Sequence, residues 1–466
     1  MLPHRLLLTP LLGLTVGQLA TSAQVRESSP PVQPAVVAFD GVHVVSMERE
    51  GIDRDRVVLV RDGRIEAIGS RSEVKVPAGA TRIDARGKYL MPGLHDMHAH
   101  LAQGTGENMD AVQRQLSVYL AFGVTTVRAL AAPPTGFEVK RRVNSGQLLG
   151  PRLFITGQSI NGQSAATPEA VTALVKQMAS LGADVIKTHG MWKSPEPYAA
   201  LVEATREAKL PLAGHITPEF GIERALEAGQ QIEHLDGMIA ATVPPGTAVP
   251  PGQFVFDEAV LAQVDSARVD ALARRMAQRG IHHGPTLALF RIFAGTETAE
   301  SLRARPDTMF TPRQALDQWT LQRSNQLQQP LPTSARERYL AVRDMMVRRL
   351  QAHGVPLLAG SDGPQFFMVP GFGLHRELEA LVQAGLTPYQ ALLAATRTPA
   401  AYLGRGAETG TIAVGKQADL VLLDANPLEN ISNARRIQGT MLRGQWLARA
   451  QLDDLEQRVK AAVRAL

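Results

Sequence analysis

Two histidines, His98 and His100, stand two residues apart in the segment LHDMHAH. On an extended strand such residues face the same side, so both imidazoles can aim at one ion. His215 ends the apolar run LPLAGH, His234 ends QQIEH, Lys187 ends ADVIK and Asp362 ends VPLLAGSD. Each run reads as a short strand, which puts six candidate ligands at the C-terminal ends of five strands. The chain has no cysteine, so thiolate ligands and a catalytic thiol are excluded. Imidazole and oxygen donors favour zinc by ligand type, and manganese or cobalt would also fit. A divalent ion lowers the pKa of bound water towards about 7 and polarises a carbonyl. Asp362, the carboxylate at the end of its strand, can take the proton of that water as a general base. A free ammonium at Lys187 would repel the ions, so this side chain must be neutral or modified.

The remaining histidines are of other kinds. His189 and His375 follow ligand-bearing strands and are candidates for substrate contact or for supporting the ligands. Trp192, in the segment THGMWKSPEP, is a third candidate substrate contact. His95 reads as packing, and His282 and His283 start a strand at the end away from the chemistry. His353 sits in a last helical turn, where its charge suits the helix dipole. His43 lies in a β-rich segment and His4 at the extreme N-terminus.

The elements that would position these residues follow a repeating rhythm. Helical stretches end in glycine and lead straight into apolar strands, at AFG/VTTVRAL, SLG/ADVIKTHG, EAG/QQIEHL, QRG/IHHGPTLAL and AHG/VPLLAGSD. Glycine there supplies a left-handed cap. Near-continuous apolar strands suit a parallel sheet buried on both faces. With LHDMHAH, PRLFITG and LPLAGHI the count is about eight strand–helix units, which predicts an α/β TIM (β/α)8 barrel over 89–405. An open doubly wound sheet would want a Gly-rich turn after its first strand, and none is present. Two insertions, 241–257 and 291–333, follow the sixth and seventh strands and should overhang the active face. The first, rich in proline, is expected to form part of the substrate rim. Alternating Val/Ile-rich runs at 35–88 and 406–450 predict a small β domain built from both chain ends, with turns at Asp40-Gly41 and Asp62-Gly63. Residues 451–466 read as a terminal amphipathic helix.

Residues 1–23 carry Arg5, a short apolar stretch and the small residues Thr21-Ser22-Ala23, the pattern of a secretory signal peptide cleaved after Ala23. The apolar stretch is too short to span a bilayer, so no membrane anchor is expected. Residues 24–34 read as a flexible leader. The expected location is secreted or periplasmic. Lys plus Arg is 49 against 44 Asp plus Glu, a net of +5 over 466 residues. That excess is weak and no basic stripe interleaved with aromatics appears, so nucleic acid is not an expected partner. The expected partner is a small-molecule amide or peptide, and a homo-oligomer is compatible with the sequence.

At PGLHDMHAH the chain resembles the amidohydrolase superfamily, and the similarity runs on through GVTTVRAL, GPRLFITG, GADVIK, GHI, IEHL, AGSD, HRELEALVQAGLTPYQALLAAT and GTIAVGKQADLVLLDANPL. The branch it resembles is the imidazolonepropionase-like and prolidase-like amidohydrolases. The resemblance implies a (β/α)8 barrel with a small β-sandwich made from both chain ends. It also implies a site with two divalent ions bridged by a carboxylated lysine, which Lys187 matches. His98 and His100 would join Lys187 and Asp362 around one ion, and His215 and His234 would join Lys187 around the other. Imidazolonepropionases use one metal and lack that lysine, so Lys187 argues against their activity. The loop after Lys187 lacks the longer Gly-rich form of prolidase-like relatives. Arg128 matches a residue common in the branch and is expected in a structural ion pair. The function implied is hydrolysis of C–N bonds, of amides, dipeptides or N-acyl amino acids, by a metal-bound hydroxide. A cyclic-amide or lactone hydrolase on the same site is the alternative, and a non-catalytic metal-binding protein of the same fold is a further one.

Overall fold

The computed structural model describes residues 36–466 apart from 103–108, 219, 251–253 and 329–330. The expected signal peptide and leader lie outside the described residues. Five strands come first: β1 (Val36–Val44), β2 (Asp53–Arg61), β3 (Arg64–Gly69), β4 (Thr81–Asp84) and β5 (Tyr89–Pro92). Seven follow in the interior: β6 (Leu94–His100), β7 (Val124–Ala131), β8 (Arg152–Ile155), β9 (Ile186–Thr188), β10 (Leu212–Gly214), β11 (Gln231–Glu233) and β12 (His283–Gly284). The last three are β13 (Leu420–Leu423), β14 (Ile437–Leu442) and β15 (Gln445–Ala448).

Both chain ends meet in one eight-stranded sheet, ordered β15-β14-β13-β5-β1-β2-β3 with β4 also on β1. β5 and β13 pair antiparallel, Leu420 opposite Pro92 and Leu423 opposite Tyr89. Alternation gives the sheet two apolar faces. Val37, Phe39, Val58, Val60, Leu420 and Leu422 form one cluster, while Met91, Val421 and Leu423 join the main core. Asp62-Gly63 makes the expected hairpin turn between β2 and β3, both residues at positive φ. Asp40-Gly41 does not turn the chain. It lies inside β1, where the register with β2 shifts between Asp40 and Val42 and Gly41 has φ 75°. Left-handed glycine here makes a bulge that leaves the strand continuous.

The interior strands form two parallel sheets, β6-β7-β8 and β12-β11-β10-β9. Asp184 N donates to Ile155 O at 2.8 Å at the passage from β8 to β9. The eighth apolar run, 355–363, is irregular but bonds to both its neighbours. Leu358 N donates to His283 O (2.9 Å), and Met97 N to Ala359 O (2.9 Å). Pro356 has no N–H to give. Gly360 passes so near β6 that a Cβ there would fall 2.5 Å from that of His98. All five glycines expected to cap helices have φ between 65° and 87°: Gly123, Gly182, Gly229, Gly280 and Gly354.

The insertion after β12 is helical, with Leu287–Ala294, Ala299–Arg303 and Arg313–Leu327 ahead of the long helix Thr333–Ala352. Buried Arg323 donates to the carbonyls of Phe293, Gly295 and Glu297 and so folds the insertion on itself. The terminal helix is Arg449–Arg464. Among the described residues no helix is long and apolar enough to cross a membrane.

Candidate metal centre

The ends of β6, β9, β10 and β11, with the irregular run, carry the six candidate ligands. Backbone bonds fix their register. Asp362 N donates to His98 O (2.6 Å), His100 N to Gly363 O (2.7 Å), His215 N to Thr188 O (3.0 Å) and His234 N to Gly284 O (2.7 Å). Lys187 N donates to Thr156 Oγ1 at 3.0 Å.

The side chains then converge. Asp362 Oδ1 lies 3.1 Å from His100 Nε2 and 3.4 Å from His98 Nε2, and Asp362 Oδ2 is 3.8 Å from His234 Nδ1. His98, His234 and Asp362 each offer a ligand atom within 4.8 Å of the others. The His234 ring lies 4.7 Å from those of both His98 and His215. Burial holds His98 and His234 well below the usual imidazole range, so both are neutral and keep a lone pair. Burial pushes Asp362 up, but the hydrogen bond from His100 and the surrounding basic groups outweigh it and leave the carboxyl lowered and ionised.

Lys187 is 1% exposed, and its Nζ finds no hydrogen-bond partner among the described residues. Desolvation lowers its pKa, against the pull of Glu233, Asp362 and Asp236. A buried amine without a partner, facing neutral imidazoles and a carboxylate, fits a lysine that takes up an anionic group and ligates metal.

A second ring of residues sets the tautomers, and sequence reasoning had passed over most of it. Glu233 Oε2 accepts from His98 Nδ1 at 2.9 Å, and Asp236 Oδ2 from His215 Nδ1 at 2.8 Å. Thr286 Oγ1 donates to Pro285 O (2.9 Å), so it accepts from His234 Nδ1 (2.7 Å). With Nδ1–H engaged, Nε2 becomes the ligand atom. Glu233 also takes the expected ion pair from Arg128, 3.0 Å away and fully buried. Removing one partner of such a pair typically costs about 3–5 kcal/mol. Asp96 accepts from Ser361 Oγ (2.6 Å) and Ser361 N (2.9 Å), tying β6 to the run that carries Asp362. One signal was present: Glu233 and Asp236 flank His234 in the sequence IEHLD.

Of the three expected substrate contacts, one reaches the centre. The His189 ring stacks on that of His215 at 4.7 Å. Trp192 does not face the ligands. It is 3% exposed and packs with Ile160, Val175, Tyr198 and Leu201, an apolar cluster that suits its large surface. His375 is likewise corrected. Its Nε2–H donates to Phe122 O at 2.9 Å, so it ties the helix Phe372–Gln383 to the end of the helix Asp110–Ala121.

Residues 89–447 match the model of the Amidohydrolase family. The chain is 27% identical to the imidazolonepropionase of Mycolicibacterium smegmatis, over 80% of this chain and 86% of that one. Among solved structures it resembles a bottromycin amidohydrolase, with TM-score 0.69 and 24% identity, covering 92% of this chain and 91% of that chain. It also resembles a Xaa-Pro dipeptidase with bound methionine in the active site, with TM-score 0.64 and 20% identity, covering 89% and 100%. These likenesses agree with an α/β fold of the TIM-barrel type.

Proposed function

The chain belongs to the amidohydrolase family, and from that premise we propose that it is an exported, metal-dependent hydrolase of amide or peptide-type C–N bonds, acting on dipeptides or N-acyl amino acids. The observation that carries this reading is the convergence of His98, His234 and Asp362 on one point at strand ends. Two divalent ions, zinc by ligand type, would be bridged by carboxylated Lys187. His98, His100 and Asp362 would hold one, and His215 and His234 the other. The ions would supply Lewis acidity to the scissile carbonyl and make water a nucleophile near neutral pH.

The protein's own groups do the rest. Asp362, ionised and adjacent to the ligand imidazoles, accepts the water proton and returns it to the leaving nitrogen. Glu233, Asp236 and Thr286 keep the three imidazoles in one tautomer. His189, beside His215, is the side chain placed to meet substrate. The same reading takes the two interior sheets and the run 355–363 as one closed (β/α)8 barrel over 89–405. The end sheet, 35–88 plus 406–450, is then the family's β-sandwich. The bonds from Met97 to Ala359 and from Leu358 to His283 support closure. Export rests on residues 1–23, and N-terminal sequencing of the mature protein should begin at Gln24; an intact Met1 on cytoplasmic protein would refute it.

The test of activity is a screen of dipeptides and N-acyl amino acids against protein loaded with zinc in bicarbonate. Metal-dependent release of free amine is the expected result. A fully loaded protein that opened only lactones or cyclic amides would overturn the substrate class.

A further inference from the structure

The ligand His234 has an aromatic neighbour. The Phe290 ring lies 5.7 Å from the His234 ring. Four more phenylalanines extend from it. Phe254 lies 5.4 Å from Phe290 and 5.1 Å from Phe293, and Phe256 lies 6.1 Å from Phe254. Phe293 stacks on Phe366 at 4.2 Å and 17°. These five rings come from the segments that follow β11, β12 and the run ending at Asp362, the three places where the chain leaves the metal centre on that side. Phe366 in turn lies 6.0 Å from the fully buried ring of Phe367, so six of the chain's 13 phenylalanines are concentrated here. The cluster is not simply core. Phe290 and Phe366 are buried, but Phe254 is 40% exposed. The rings therefore run continuously from a ligand imidazole out to solvent.

We propose that these phenylalanines form an aromatic subsite that receives an aromatic or bulky aliphatic side chain on the leaving amine of the substrate. The inference rests on the amide-hydrolase reading of the same centre. The side of the bond follows from Asp362. It protonates the leaving nitrogen, so the amine fragment lies towards Asp362, and Phe366 stands four residues along the same turn. Gln365 Nε2 donates to Asp362 O at 2.8 Å and holds that turn to the carboxylate's own backbone. One face of Phe290 is already covered by the Arg343 guanidinium, 3.7 Å from the ring centroid. The exposed ring, Phe254, is thus the one that sets how large an apolar group is accepted.

The experiment compares N-acetyl-L-phenylalanine with N-acetyl-L-alanine on zinc-loaded wild type, Phe254→Ala and Phe254→Tyr. Single apolar contacts discriminate by roughly 10–200-fold. The wild type should favour the phenylalanine substrate by at least about 10-fold in kcat/KM. Phe254→Ala should remove most of that preference through the phenylalanine substrate alone, and Phe254→Tyr should keep it. Calorimetric titration with free L-phenylalanine and L-alanine gives a readout independent of turnover. Wild type should bind phenylalanine more tightly, with a more negative heat-capacity change from buried apolar surface, and Phe254→Ala should bind the two alike. If neither N-acetyl amino acid is hydrolysed yet this binding preference is present, the substrate reading fails and the subsite stands. No difference in binding between the two amino acids, including no binding of either, overturns the subsite. So does a preference that follows the acyl group instead, seen with N-phenylacetylglycine against N-acetylglycine.

Discussion

At Lys187 the charge of one side chain decides between two site chemistries. A protonated amine would oppose divalent ions, and burial already disfavours its charge. As a bridging anionic ligand it would hold both ions. Lys187→Ala should therefore lower bound metal from two ions per chain towards one, read by elemental analysis after loading in bicarbonate, and a short carboxylic acid should restore part of it. Asp362→Asn makes the complementary case. It keeps a ligand oxygen but cannot act as a base, so turnover should fall about 10²–10⁴-fold while metal content holds; near-wild-type turnover with metal bound would remove Asp362 from its role. The positions of both were legible in the sequence, because each is a charged residue that closes an apolar run. Glu233 was not. Strict alternation would aim it away from the face of His234, but His234 and Leu235 have φ of 63° and 59°, and β11 stops at Glu233.

Those left-handed residues show how the elements hold the site. His234, Thr286 and Asp362 all have positive φ, each costing on the order of 1–3 kcal/mol unless the surroundings impose it. Part of that hold comes from the helix Thr333–Ala352. Arg343 on it donates to His234 O at 2.9 Å and lies 3.4 Å from Pro285 O. Arg343→Met should weaken metal binding about 10–100-fold, the range for groups that support ligands. A metal titration would show it, and Arg343→Lys, able to reach one carbonyl, should recover part of the loss; unchanged affinity in both variants would make Arg343 mere packing. The tie between the helices Phe372–Gln383 and Asp110–Ala121 has a different signature. Burial lowers His375 to about 4, and His283 likewise to about 4. Each proton binds the unfolded chain first, so the stability these residues contribute is intact above about pH 6.5 and is lost as pH falls towards 4, by up to roughly 3 kcal/mol each. Urea midpoints at pH 7.5 and 4.5 should differ less in His375→Gln than in wild type. Sequence periodicity could not have shown either tie, since both join elements distant along the chain. Local signals did better: the five capping glycines behave as read, while Asp40-Gly41 failed as a turn because the same dipeptide also serves a bulge.

For the whole molecule, the rhythm of helix, glycine and apolar strand was the strongest signal, because parallel strands buried on both faces leave an unbroken apolar mark. The contents of the insertions were obscure, since their helices pack by particular contacts such as those of Arg323. The terminal helix Arg449–Arg464 joins these levels. Val459 and Val463 pack with Val118 of an early helix, Phe310 of the insertion and Val369 after the eighth run. Deleting 449–466 should uncover that cluster and lower the melting temperature by several degrees, with about 25 cal/mol lost per Å² of apolar surface newly exposed; an unchanged melting curve would mean the helix is dispensable.

The sheet shared by the two chain ends also sets a schedule for synthesis. β5 must wait for β13, its partner roughly 330 residues later. At ribosomal rates that delay is on the order of tens of seconds. Throughout it, the β5 edge is without its final neighbour, and the sheet cannot be completed until β13, β14 and β15 have been made. A sheet built this way stays unfinished at β5 until β13 arrives, so a translational pause before Leu420 would prolong the interval in which that edge can pair with another nascent copy.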